Sequence, residues 1–350
     1  MPITGPIRAL GLLGALIIII SACGTPQAST RTTAPSPSGA SASAGESPEE
    51  SAGESPEESA GESPGGGGVV DLTGVELTVG SKEFTEQLIL GQITIQVLED
   101  AGATVNDETG TQGSDVTRAA LLAGDTDMYW EYTGTGWINH LGNTDPVPGA
   151  EEQYIAVRDA DAANGIVWLE PAPLNNSYTI ALASETATEL ELTTLSDLAA
   201  LAAESPDQTT LCAATEFQAR VSDGMPGVEA AYGFEFSDVA TLELGIIPDA
   251  IDSAEDCIFG EVFATDTRIT SLGLTVLEDD LAFFPSYEPS LNVRQEVFDA
   301  NPGLADLFAP VAAVLDTETM LALNGTVDID GENEADVAAA FLQEQGLIGE

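Results

Sequence analysis

The sequence predicts an α/β fold in two lobes, on three observations. Short apolar runs of strand type alternate with stretches of helical periodicity from about Val75 onward. The alternation runs through two successive sets of beats, which builds largely parallel sheets with helices on their faces. About 280 residues follow Val69, enough for two lobes with proper cores.

Residues 75–79 alternate as a half-buried strand does. Beyond a turn at Gly80-Ser81, Ile89, Ile93 and Val97 recur at spacing four, with Leu90 and Leu98 beside them, as on an amphipathic helix. A strand near 103–106, a helix from about Asp115 stopped by Gly124, and a strand over 127–132 come next. Then follow a helix near 151–163 and strands near Val167 and over 178–183. The second set runs through 209–213, 239–242, 246–253, 257–264 and 275–277. After Pro285 the pattern turns mostly helical, with candidates at 302–315, 317–323 and 335–342. In such a fold ligands sit where strands end, in the cleft between lobes.

Ahead of the folded part lie two segments of another kind. Residues 1–23 read as a lipoprotein signal peptide: Arg8, an apolar run over 9–20, then Ser21-Ala22-Cys23. About 12 apolar residues cannot span a bilayer, which takes roughly 20. Small residues before a cysteine match a lipobox, with Cys23 acylated and the chain tethered outside the cell membrane by that lipid alone. Residues 24–68 are rich in Ser, Pro, Gly and Glu and repeat Gly-Glu-Ser-Pro-Glu-Glu-Ser-Ala from Gly45. They hold too little apolar surface to offset ordering entropy and read as a disordered acidic tether.

Charge narrows the function. The chain carries 59 acidic residues against 8 basic ones. Nucleic acid is excluded as a partner, because binding it requires basic patches that displace counterions. The same field repels itself in dilute salt and is screened within about 3 Å near 1 M, so the composition suggests a salty habitat. With Cys23 lipidated, Cys212 and Cys257 are the remaining thiols, each in an apolar run of strand type. A bridge between them, closing about 45 residues and contributing roughly 4 kcal/mol, is the reading adopted over two buried free thiols.

Catalytic constellations are scarce, and no cofactor or metal is expected. His140 is the single histidine, so a Ser-His-Asp set or a histidine metal site would have to be built around it alone, and it reads as structural or solvent-facing. Gly134-Thr135-Gly136 lacks the third glycine of a dinucleotide fingerprint, and Asp328-Ile329-Asp330-Gly331 brings its glycine two positions early for a calcium loop and reads as a turn. With 59 acids, neighbouring carboxylates such as Asp279 and Asp280 carry no information about acid-base catalysis. The rare residues inform more. Lys82 is the single lysine, at a strand-to-helix turn where a parallel sheet presents groups to a ligand. Aromatics make up 6% of the chain, and Tyr132, Tyr178 and Tyr287 fall at strand ends or in polar turns.

Together these segments resemble the substrate-binding proteins of ABC importers for glycine betaine, choline and related osmoprotectants. The likeness rests on Gly80-Ser81-Lys82-Glu83-Phe84-Thr85-Glu86-Gln87, on Glu131-Tyr132-Thr133-Gly134-Thr135-Gly136, and on residues 168–178, followed by 223–227, Ala264-Thr265-Asp266 and 276–280. The resemblance implies a bilobal type II periplasmic-binding-protein fold, with lobe one over 69–176 plus 290–350, lobe two over 177–289, and hinges near Ser177 and Ser286. It implies a box of Tyr132, Tyr178, Phe263 and Tyr287 around a quaternary ammonium, with Lys82 and Arg220 near the ligand's carboxylate and Thr135 and Asn176 as hydrogen-bond partners. Ring faces suit a trimethylammonium group, which has no N–H to donate, at about 0.5–2 kcal/mol each. Phe263 stands where a tyrosine is frequent in the family, so a hydroxyl is absent.

A zwitterion answers both ends of such a site. Glycine betaine therefore ranks first, ahead of choline, proline betaine and carnitine. The partners implied are a permease and its ATPase, with the binding protein itself a monomer. An extracytoplasmic sensor of the same fold is the alternative, and an exported enzyme is disfavoured by the lack of nucleophile-base pairs.

Overall fold

The computed structural model describes residues 70–254 and 256–349. The leader, Cys23 and the tether lie outside the described residues. Among the described residues ten strands form two five-stranded sheets. The first holds β1 (Glu76–Lys82), β2 (Thr104–Thr111), β3 (Met128–Tyr132), β4 (Ile166–Trp168) and β10 (Pro289–Arg294), in the order β2-β1-β3-β10-β4. The second holds β5 (Tyr178–Ala183), β6 (Thr210–Ala213), β7 (Asp238–Thr241), β8 (Phe259–Phe263) and β9 (Leu274–Val276), in the order β7-β6-β8-β5-β9.

The sheets are mixed, where alternation alone predicted largely parallel ones. In each, four strands run the same way and one opposes them: β10 lies antiparallel to β3 and β4, and β5 to β8 and β9. The reversal has a topological cause. β5 and β10 are the strands the chain enters directly after crossing from the other sheet, so they start at the cleft, where the parallel strands end. β10 was also hidden in sequence, because Ser290 and Asn292 break its apolar run; both are buried and bonded, Ser290 Oγ donating to Leu169 O at 2.6 Å and Asn292 Nδ2 to Ser290 O at 3.2 Å.

Both faces of the first sheet are covered. Helix α1 (Thr85–Asp100) buries Ile89, Leu90, Ile93, Val97 and Leu98 against Met128 and Trp130 of β3. Each such side chain contributes roughly 1.5–3 kcal/mol of burial. The C-terminal helices Leu304–Ala313, Thr317–Asp328 and Glu334–Glu344 close the same core through Phe308, Met320, Phe341 and Leu342. On the other face Tyr129 packs with Leu121 of helix α2 (Ser114–Ala123), Tyr154, Val157 and Trp168. Alternation along β3 thus sends Met128 and Trp130 one way and Tyr129 the other.

In the second sheet one face packs Ile180, Leu182, Leu211 and Phe259 with Leu195, Leu198 and Phe217, and the other packs Ala181 and Val262 with Ile247 and Ile251. A disulfide joins Cys212 and Cys257, with Cα atoms 5.6 Å apart. Cys212 is on β6, but Cys257 lies just ahead of β8 rather than on a strand. Residues 246–253 are a 3-10 turn and a helix, Ile247–Ser253, with no strand. Asp328 ends a helix and opens the turn read there from sequence.

Candidate functional site

The carboxyl ends of β1, β3 and β8, the start of β5 and the segment after β6 converge on one cleft of about 940 Å³. It takes residues from both sheets: Lys82, Phe84, Glu86, Tyr132, Thr135 and Asn176 on one side, and Tyr178, Glu216, Arg220, Glu261, Phe263 and Thr265 on the other. β1 continues through Lys82 instead of turning at Gly80-Ser81, so the lysine is the last strand residue.

Aromatic rings meet across this cleft. Phe84 lies 6.3 Å from Tyr132 and 5.1 Å from Phe263 between ring centroids, and Tyr178 lies 5.2 Å from Phe263. Tyr287 does not line the cleft; it packs edge-on behind Tyr178 at 5.5 Å, and its hydroxyl donates to Asp223 Oδ2 at 2.8 Å. Of the four rings expected to form a box, three therefore reach the cavity and the fourth braces one of them. Phe84 was missed as a ring of the site, although it sits in the same motif as Lys82.

The Gly134-Thr135-Gly136 segment owes its glycines to close packing. A methyl group on Gly134 would lie 2.7 Å from Tyr287 Cδ1, and one on Gly136 2.5 Å from the Trp168 ring. Nothing larger than hydrogen fits, and this holds Tyr287 in place behind the cavity.

The cations of the site are already partnered. Lys82 Nζ donates to Glu131 Oε1 at 2.6 Å, and Glu131 also accepts from Tyr129 OH at 2.8 Å and Tyr132 N at 2.7 Å, with His140 Nε2 2.7 Å from its other oxygen. The single lysine and the single histidine thus share one buried carboxylate. Burial alone would push the Glu131 carboxyl up, but Lys82 and His140 hold it well below its usual range. Lys82 Nζ also stands 5.1 Å from the Tyr132 ring centroid. Arg220 grips Asp223 with two nitrogens, donates from Nη1 to Glu216 Oε1 at 3.1 Å, and stands 5.5 Å from the Tyr178 ring centroid. Both cations line the cleft as expected, yet each polarises a ring while spending its charge on carboxylates.

Two buried acids facing the cleft have no basic partner among the described residues. Glu86, in the first turn of α1, is buried; Oε1 accepts from Tyr132 OH at 2.6 Å and Asn176 Nδ2 at 2.9 Å, and Oε2 from Thr265 Oγ1 at 2.6 Å and Asn324 Nδ2 at 3.5 Å. Burial raises its pKa despite these bonds. Glu261 on β8 accepts from Ala214 N at 2.8 Å; burial, with Glu216 nearby, pushes it up to about 8. Acidic composition hid both, since any segment of this chain offers a carboxylate.

Residues 75–344 match a family model described as the substrate binding domain of ABC-type glycine betaine transport systems. The chain belongs to this family. A glycine-betaine-binding protein of Pseudomonas aeruginosa is 38% identical over 280 residues, 78% of this chain and 88% of that one. The glycine betaine-binding protein YehZ of Escherichia coli is 34% identical over 276 residues, covering 77% and 90%. The solved structure of apo YehZ superposes with a TM-score of 0.58 at 32% identity, over 78% of this chain and 99% of that one. The two mixed sheets are the bilobal fold of these binding proteins, and the chain is a transporter's substrate-binding protein rather than an enzyme. Among the described residues no helix is long and apolar enough to cross a membrane.

Proposed function

We propose that the protein captures a quaternary-ammonium solute of the betaine and choline type outside the cell and delivers it to the permease and ATPase of an ABC importer. The observation that carries this reading is the meeting of Phe84, Tyr132, Tyr178 and Phe263 in one cleft between two sheets. Ring faces replace the water around a trimethylammonium group while their quadrupoles attract its charge, and Glu86 beside Tyr132 adds negative potential. Three or four faces at about 0.5–2 kcal/mol each supply much of the ~8 kcal/mol that micromolar binding needs. Thr135 and Asn176 offer polar contacts, and Lys82 and Arg220 lend positive potential to a betaine's carboxylate, tempered by their own acid partners.

The protein works as a monomer held to the membrane by the lipid on Cys23. Its lobes, 69–176 with 290–350 and 177–289, close on the solute by bending near Ser177 and Ser286, where the chain passes between the sheets. Calorimetric titration with glycine betaine, choline, carnitine and proline betaine in high salt tests the reading. Micromolar or tighter binding of at least one is expected, and Tyr132→Ala should weaken it at least tenfold. Absence of heat with every quaternary amine would overturn it.

A further inference from the structure

We propose that Glu86 is the counter-charge for the ligand's ammonium, and that it favours solutes of net positive charge over zwitterions with the same head group. This rests on the proposed function and identifies which residue of that site reads ligand charge. All four of its partners are neutral donors, Tyr132, Asn176, Thr265 and Asn324, and no basic side chain reaches it among the described residues. An isolated buried carboxylate is costly, and such groups pair with a cation or give up their charge.

The cleft's own cations are committed elsewhere: Lys82 to Glu131, Arg220 to Asp223 and Glu216, and Arg268 to Asp266. Without such a partner burial favours the proton on Glu86, and a cationic ligand brings the charge that lets it ionise. Glu86 is placed to receive it. It stands two residues after Phe84, its Thr265 partner stands two residues after Phe263, its Asn176 partner two before Tyr178, and it accepts directly from the Tyr132 hydroxyl. Each of the four ring-bearing segments therefore contributes to this carboxylate or to its hydrogen bonds. An ammonium among the rings lies beside Glu86.

The charge preference follows from geometry within the ligand. Choline presents the ammonium and a neutral hydroxyl, so Glu86 attracts it with its whole charge. Glycine betaine carries a carboxylate one methylene away from the ammonium, and the repulsion of that group by Glu86 cancels most of the attraction. With Lys82 and Arg220 already paired to acids, no cation of the cleft among the described residues restores the balance in favour of the zwitterion.

The test is titration of the wild-type protein, Glu86→Gln and Thr265→Val with choline and with glycine betaine. Glutamine keeps the shape and most hydrogen bonds of Glu86 and removes its charge. Thr265→Val keeps the charge and removes one hydrogen bond between the lobes. Glu86→Gln should weaken choline at least tenfold and glycine betaine less than threefold, whereas Thr265→Val should weaken both alike. Equal changes for the two ligands in Glu86→Gln, or no change in either, would overturn the assignment while leaving the ring site intact. If the wild-type protein bound neither ligand nor any other quaternary amine, the ring site itself would be refuted, and this inference with it. Thermal unfolding of each variant separates a loss of fold from a loss of recognition.

Discussion

Glu261 is the residue whose titration should be visible in the stability of the whole protein. It is buried on β8 with one backbone N–H, that of Ala214, as its hydrogen-bond donor, and Glu216 adds repulsion that Arg220 only partly offsets. Its pKa rises from an ordinary 4.5 to about 8 on folding. The unfolded chain ionises first, so the folded state holds the extra proton between those values and loses stability as pH rises from about 4.5 to about 8. At about 1.4 kcal/mol per pH unit the loss near neutrality is on the order of 3 kcal/mol. Glu261→Gln removes the titration. Its melting temperature should gain on the wild type as pH rises through that window, with the two proteins nearest at pH 4.5. Parallel melting curves from pH 4.5 to 8 would show that Glu261 ionises freely in the folded state. Legibility at this scale was uneven. Tyr132 and Tyr178 could be singled out because aromatics are rare here and stand at strand ends, whereas Phe263 came only from the family resemblance. Glu86, Glu131 and Glu261 could not, because among 59 acids a buried one carries no mark in sequence. Lys82 was singled out for its rarity, but the partner that takes its charge, Glu131, sits 49 positions away on another strand.

At the scale of elements, the strands and helices that alternate cleanly were legible and those that do not were hidden. β3 and α1 declare themselves by period, whereas β10 carries Ser290 and Asn292 at buried positions and follows a proline-bounded turn. The two strands that run against their parallel neighbours are those that arrive from the opposite lobe, a property of the chain's path that no local pattern records. The disulfide lies between these scales. It ties β6 to the residue two positions before β8, where the two strands pair in parallel through Leu211 with Phe259 and Cys212 with Gly260. The closed loop spans 45 positions, so the chain-entropy model assigns it about 4 kcal/mol. Replacing both cysteines by alanine should lower the melting temperature by roughly 10 °C in an oxidising buffer, and dithiothreitol should do the same to the wild type while leaving the variant unmoved. A loss under about 1 kcal/mol would mean that β6 and β8 hold their register without the bridge.

For the whole molecule the governing quantity is the imbalance of 59 acidic against 8 basic residues. Every described lysine and arginine is already in an ion pair: Lys82, Arg118, Arg158, Arg220, Arg268 and Arg294. The remaining acids repel one another, with no lysine or arginine among the described residues left to neutralise them. Sodium chloride should therefore act on stability and on capture with opposite signs. Raising it from about 0.05 to 1 M shortens the screening length from more than 10 Å to about 3 Å and relieves repulsion that is larger in the compact state than in the open chain. The melting temperature should rise by at least about 5 °C and then level off. Across the same range the association rate of choline should fall, because the acidic field steers a cation toward the cleft, while glycine betaine, with no net charge, should associate at a nearly constant rate. Stopped-flow fluorescence of the purified protein reads both rates, with Tyr132→Ala as the control for the ring site. A choline rate that ignored salt would mean that the field is neutralised before the ligand arrives, by condensed cations at the cleft mouth. A melting temperature that fell with salt would show that the ion pairs around Lys82 and Arg220, rather than repulsion among the surface acids, dominate the electrostatics of folding.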